Sequence, residues 1–277
     1  MNATTINPTA GKKNKVEFSD PFAEVEITPV EIPGVAEHNN IAVRVKDDAG
    51  EWQKAGILSK GYNLVKNSLC YETALDIFSR SPFKFEELLG GKPDPHGKTA
   101  RYFDGKRYLH YFASVDPIVE TGDLKLHLGA RLGNSYDGSG KYVFEIYGLN
   151  PFCTNQYLQR NLFGYFEVRH TVNGSFHFDM DDAIKNLSVG AQNVIAAAPR
   201  IVEMKNKPLE IEDVRNAAKN DIIPKSMWGE ALAGIEVATY FGLYQSLTSL
   251  ASHKLSGLSS LSYGQLIGDY FLPVAGK

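Results

Sequence analysis

From residue 124 to residue 133 two sets of side chains alternate without a break: Leu124, Leu126, Leu128, Ala130 and Leu132 stand between Lys125, His127, Gly129, Arg131 and Gly133. A period of two sends one set to each face of an extended chain, so the segment predicts a half-buried β-strand. At Asp179 the apolar period lengthens to about 3.6, the repeat of an α-helix. Ile184, Leu187, Ala191, Val194 and Ala198 then share a face, and Asp179 and Asp182 stand at the positive end of the helix dipole. Strands before this point and helices after it argue against a doubly wound parallel sheet. They predict an α+β fold in which an antiparallel sheet of successive hairpins packs with helices, followed by a helical C-terminal region.

The remaining punctuation fills in this outline. Ala23, Val25 and Ile27, then Ile41, Val43 and Val45, alternate with polar or small residues. The turn Asp47-Asp48-Ala49-Gly50 leads to a third apolar stretch over 52–58, which gives a small β-meander. Asn67 is placed to cap a helix that buries Cys70, Ala74, Ile77 and Phe78. Asp104-Gly105 splits residues 101–115 into a hairpin, and the glycine-rich loop 134–140 hands the surest strand to Tyr142, Phe144 and Ile146. Residues 151–163 read as a short helix, and 165–178 as a third hairpin turning at Asn173-Gly174. Pro199 and Pro208 punctuate the last third of the chain, with two or three further helices to the C-terminus. The expected organisation is a flexible polar tail over 1–20, an α+β core domain over 21–205, and a helical region over 206–277 packed on the core.

Composition excludes some classes of function. A formal charge of −3 over 277 residues announces neither a nucleic-acid nor a membrane partner, although local patches survive such averaging. Two cysteines, Cys70 and Cys153, build no disulfide framework or zinc-ligand spacing and suit a reducing compartment. The first 16 residues carry Lys12, Lys13 and Lys15 without the apolar run of a secretory signal, so a cytoplasmic location is expected. Residues 231–251 are long and apolar enough to raise the question of a membrane span. They hold Glu236 and Gln245, and Leu232, Ile235, Thr239, Leu243, Ser246 and Leu250 form one stripe, the pattern of a helix packed on a soluble core.

No catalytic motif emerges, and nothing in the chain points to a reaction. Residues 91–99 resemble a phosphate-binding loop. Five residues separate Gly91 from Gly97 where the motif needs four, Pro93 and Pro95 lack the N–H groups that cradle phosphate, and a strand comes next instead of a helix. ATP is not implied, and no cofactor is expected. Cys153 reads as a structural thiol. A two-residue turn at Asn173-Gly174 would pair His170 with His177 and leave Asp179 on the same face, a set able to hold a divalent metal. The simpler reading makes Asp179 a helix cap and leaves the histidines on a sheet.

Four short segments occur in order: Tyr62-Asn63-Leu64-Val65-Lys66-Asn67, Asn134-Ser135-Tyr136-Asp137-Gly138-Ser139, residues 150–155, and Arg169-His170-Thr171. Their order and spacing resemble the phage/plasmid-like family of unknown function, and residues 239–253 are similar to that family's closing helix. The resemblance spans residues 55–255. It implies a gene carried by phages, prophages or plasmids and transfers no catalytic residue. The family's loop more often reads His-Asp-Gly-Ser, and Tyr136 stands here in place of that histidine. At the level of fold, a helix, successive antiparallel hairpins and a long helix are also similar to phage and eukaryotic single-strand annealing proteins of the Red-beta, RecT and Erf kind, an analogy of architecture.

The function expected on this basis is single-stranded DNA binding and annealing in recombination, without ATP. Its residues would be Arg101, Lys106, Arg107, Lys125, Arg131, Lys141, Arg160 and Arg169, interleaved with Tyr102, Tyr108, Tyr111, Tyr136, Tyr142 and Tyr147. Cations offset phosphate repulsion, and each base stacked on an aromatic face contributes about 1 to 3 kcal/mol. The same pattern also describes an ordinary half-exposed sheet, because residues 98–175 hold nine basic against seven acidic side chains. Assembly into rings or filaments would concentrate that small excess. Two rivals are a metal-dependent nuclease built on His170, His177, Asp179 and Asp137, and a phage structural or anti-defence protein that binds another protein.

Overall fold

A computed structural model describes residues 16–30, 39–88, 100–122, 124–149, 156–157, 165–168, 170, 179–255 and 257–272. Among these, the strands are β1 (Val25–Pro29), β2 (Asn40–Lys46), β3 (Trp52–Ser59), β4 (Phe85–Glu87), β5 (Arg101–Phe103), β6 (Arg107–Ser114), β7 (Val119–Thr121), β8 (Leu124–Ser135), β9 (Tyr142–Leu149), β10 (Gln156–Tyr157) and β11 (Tyr165–Val168). The helices are α1 (Asn67–Arg80), α2 (Met180–Asn206), α3 (Ile211–Lys219), α4 (Trp228–Ala233), α5 (Tyr240–His253) and α6 (Gly257–Phe271). This is the α+β class, with antiparallel pairing throughout.

The first three strands form their own sheet in the order β1-β2-β3, and the other eight form a second. In the larger sheet β10, β9, β8, β6 and β4 are successive neighbours, while β11 joins β9, β5 joins β6 and β7 joins β8. The segment with the clearest alternation is the central strand. Leu124, Leu126, Leu128, Ala130 and Leu132 are all sealed on the helix-facing side. They meet Cys70, Ala74, Ile77 and Phe78 of α1, and Leu187, Ala191, Val194 and Ala198 of α2, in one core that also takes in Leu243, Tyr244 and Leu247 of α5 and Phe271 of α6. Burying a side chain of this size contributes about 1.5 to 3 kcal/mol, so the packing of α1 and α2 on β8 and β9 contributes substantially to the stability of the fold.

Several boundaries differ from the sequence expectation for local reasons. Asp179 does cap α2, its carboxylate accepting from the N–H groups of Asp181 and Asp182. Pro199 does not end that helix; it lies inside it, one residue from the buried Ala198. Packing of the apolar face outweighs the lost N–H bond there. At α1 the cap position belongs to Lys66, because the Asn67 side chain is drawn inward to other partners. The apolar run 231–251 is not one helix: α4 ends at Ala233 and α5 begins after Thr239, whose hydroxyl accepts from the Gly242 N–H. No helix among the described residues is long and apolar enough to cross a membrane. Inside the short helix expected over 151–163, Gln156 and Tyr157 instead form β10, paired with Leu149 and Gly148 at the end of β9; the rest of that segment, the Asn173-Gly174 turn and the loop 91–99 lie outside the described residues.

Candidate nucleic-acid interface

The central sheet does not present the expected platform of outward tyrosines. Tyr108 and Tyr142 point into the helix-side core, whereas Tyr111 and Tyr147 belong to a second buried cluster with Ala113 and Leu149 on the opposite face. Tyr136 is also sealed, in a third cluster beneath the small sheet. Alternation reveals that a strand has two faces, but not that both are covered. Here the second half of β8 is buried on both sides. Gly129 shows why: a Cβ at that position would lie 2.2 Å from the Tyr147 ring, which packs flat over the gap. Burial raises the phenols of Tyr108, Tyr136 and Tyr142 well above their ordinary value.

The basic residues of this sheet are mostly matched by carboxylates. Arg101 bonds Glu87, Lys125 bonds Glu120 at 2.6 Å, and Lys141 bonds Glu167. Arg131 is buried against Glu145. Lys106 and Arg107 stand exposed at the β5–β6 hairpin, within electrostatic reach of Asp137, and the Arg107 Nε donates to Ser139 at 3.3 Å. Arg160 and Arg169 lie outside the described residues.

Arg101 and Glu87 lead into a buried polar chain. The fully buried His110 stacks on Tyr71 with ring centroids 5.1 Å apart. Its Nδ1 lies 2.7 Å from the Tyr108 hydroxyl and its Nε2 lies 3.3 Å from Glu87. Burial pushes the imidazole down to about 4, against the opposing pull of Glu87. The neutral ring therefore accepts from Tyr108 and directs its N–H at Glu87. Burial alone would raise the Glu87 carboxyl, but the hydrogen bond and charge of Arg101, with a hydrogen bond from Tyr71, hold it below its ordinary value. This chain fastens α1 to β4, β5 and β6.

Three of the segments that carry the family resemblance meet in space. Asn134 donates to the Val65 carbonyl at 2.9 Å and to the Asn67 Oδ1 at 2.8 Å. The Tyr136 hydroxyl accepts from the Asn67 N–H at 2.8 Å, and Tyr62 donates to the Ser135 carbonyl at 2.8 Å. His170 stacks on Tyr62 at 5.1 Å, with its Nδ1 3.1 Å from the Asn63 carbonyl. These contacts are buried and bind backbone to backbone through side chains, which is the chemistry of a structural joint. Asp179 is engaged as a cap, His177 lies outside the described residues, and no group of three or more metal-ligating side chains occurs among the described residues.

An open surface that pairs cations with a flat ring occurs instead on the small sheet. Val43 and Val45 of β2 face inward and are fully buried. Arg44 and Lys46 therefore face outward, and Trp52 and Lys54 of β3 stand opposite them in register. The Arg44 guanidinium and the Lys46 ammonium each lie 5.3 Å from the Trp52 ring centroid. Lys54 is exposed and makes no ion pair among the described residues, and Ile57 is 52% exposed. Gly56 lets the loop approach from the inner side, since a Cβ there would lie 2.8 Å from the Asp137 Cα. On that inner side the loop touches Arg107 through Ser139. The sequence signal for Trp52 is present in the alternation of β2 and β3, but the ring also fits the start of an apolar strand.

The fold and this surface define a class no narrower than an α+β protein with a two-sided central sheet and an open cation-aromatic face on a separate meander. No protein-family model, no curated protein and no solved structure matches the chain.

Proposed function

We propose that the protein binds single-stranded nucleic acid without catalysing a reaction, and that it does so on the outer face of β2 and β3. The observation that carries this reading is the placement of Arg44, Lys46 and Lys54 around Trp52 on an exposed sheet face. An unpaired strand offers alternating phosphates and flat bases. Cations spaced at every second residue of a strand, roughly 6.6 Å apart, track such a backbone, while an indole ring and a guanidinium plane accept bases. Annealing during phage or plasmid recombination is the role proposed for this binding, because pairing of complementary bases supplies its own free energy and needs no nucleotide hydrolysis.

The test is titration of a labelled thymidine oligonucleotide across a salt series. Log affinity should fall with log salt by about 0.7 for each phosphate contacted. Trp52→Ala should weaken binding by about 1 to 3 kcal/mol. Lys54→Glu combined with Arg44→Glu should flatten the salt slope. Absence of binding at about 50 mM salt, or binding that neither variant alters, would overturn the proposal.

A further inference from the structure

We infer that β1 screens this face from within: Glu24 and Glu26 occupy the cations that a phosphate chain would use, and so set the affinity of the surface. The inference rests on the reading of the β2–β3 face as a nucleic-acid site. β1 pairs antiparallel with β2, with Glu26 directly opposite Arg44. The Glu26 carboxylate lies 3.2 Å from the Arg44 guanidinium, and the Glu24 carboxylate lies 2.8 Å from the Lys46 ammonium. Glu26 of β1, and Glu24 just before it, thus each set an acid beside a cation of β2 that faces Lys54 or Trp52 of β3.

A carboxylate offers a cation the same kind of charged oxygen acceptor as a phosphate ester. Side chains in both pairs keep about a third or more of their surface in water: Glu24 is 70% exposed, Glu26 37%, Arg44 37% and Lys46 33%. Exposed pairs of this kind are weak, so a polyanion can displace them, yet each displacement subtracts from the affinity gained. With both acids present the face carries three cations against two carboxylates; with both neutralised its charge is uncompensated. Only Lys54 of the three lacks a carboxylate partner among the described residues. A surface so arranged binds moderately and releases readily, which suits a protein that must hand strands to each other.

The experiment compares full-length wild type with Glu24→Gln/Glu26→Gln, using the same labelled thymidine oligonucleotide at about 50 mM salt and at several higher concentrations. A second double variant, Glu72→Gln/Glu86→Gln, makes the same change of net charge at exposed positions on α1 and β4. The β1 variant should bind about tenfold more tightly. Its salt slope should steepen by about 0.7 to 1.4, one or two phosphates more. The control should do neither. Equal tightening in both variants would overturn the inference and assign the effect to net charge. Unchanged affinity in the β1 variant, with Trp52→Ala still weakening binding, would overturn the inference and leave the nucleic-acid reading standing. No binding by wild type or either variant would overturn both.

Discussion

Replacing His110 by Gln should remove most of one pH dependence of stability, and its size can be worked from the structure. His110 is fully buried between Tyr71 and Phe112, and its folded-state value is about 4 against 6.5 for the free side chain. The group is therefore depressed on folding. Above about pH 6.5 it is neutral in both states and adds no pH dependence. Between about 6.5 and about 4 the unfolded chain takes up a proton that the folded chain refuses, so stability falls as pH falls. Integrating this one site from about pH 7.5 to about pH 5 gives a loss of about 2 kcal/mol. The measurement is urea unfolding of wild type and His110→Gln at the two pH values. The variant's absolute stability is not the test; the wild type should lose about 2 kcal/mol more than the variant between them. Burial lowers His170 in the same direction, but that residue is present in both proteins and cancels in the difference. Equal losses would show that the imidazole is not held neutral, and the assigned polarity of the Tyr108–His110–Glu87 chain would be wrong. If the variant fails to fold, an NMR titration of wild-type His110 serves instead, with a midpoint near 4 supporting the reasoning and one near 6.5 refuting it.

Other perturbations probe other parts of the structure. Gly129→Val should destabilise by about 1 to 3 kcal/mol in thermal or chemical unfolding, because its side chain would enter the space filled by the Tyr147 ring. Tyr136→Phe removes the acceptor of the Asn67 N–H and should lower stability by about 1 to 3 kcal/mol. Asp179→Ala should lose about 0.5 to 2 kcal/mol through its two cap bonds, while Asp179→Asn should lose little; loss of a bound metal signal in the alanine variant would instead revive the nuclease reading.

The parts of the fold that can be read from sequence are those governed by local period. The alternation over 124–133 locates β8, and the change at Asp179 locates α2 together with its cap. Pro199 misleads because a proline's local preference is opposed by the packing of Leu187, Ala191, Val194 and Ala198 on the same helix. The site is harder to read. A tyrosine on a strand has the same local signature whether it faces water or a second layer, and Tyr111 and Tyr147 are covered on the face opposite the helices. Likewise, the partners of Arg131 and Lys141 lie on neighbouring strands 14 and 26 residues away, so their pairing depends on register. Trp52 has the opposite fault, since an apolar ring at a strand start suggests core although its neighbours Arg44 and Lys46 place it on the outer side.

The joint between residues 62–67 and 134–136 also has a consequence for biosynthesis. Asn67 and Tyr136 are separated by 69 positions. At a ribosomal pace of about 5 to 20 residues per second, the nascent helix α1 waits roughly 3 to 14 s for the hydroxyl that receives its first N–H. Until then its apolar stripe has only β4 to β6 to lie on, without the completed β8 and β9 that finish the sheet, and the emerging chain is open to chaperones and proteases. Synonymous codon changes that slow elongation across 70–134 should therefore reduce the yield of folded protein more than equal delays placed after residue 206.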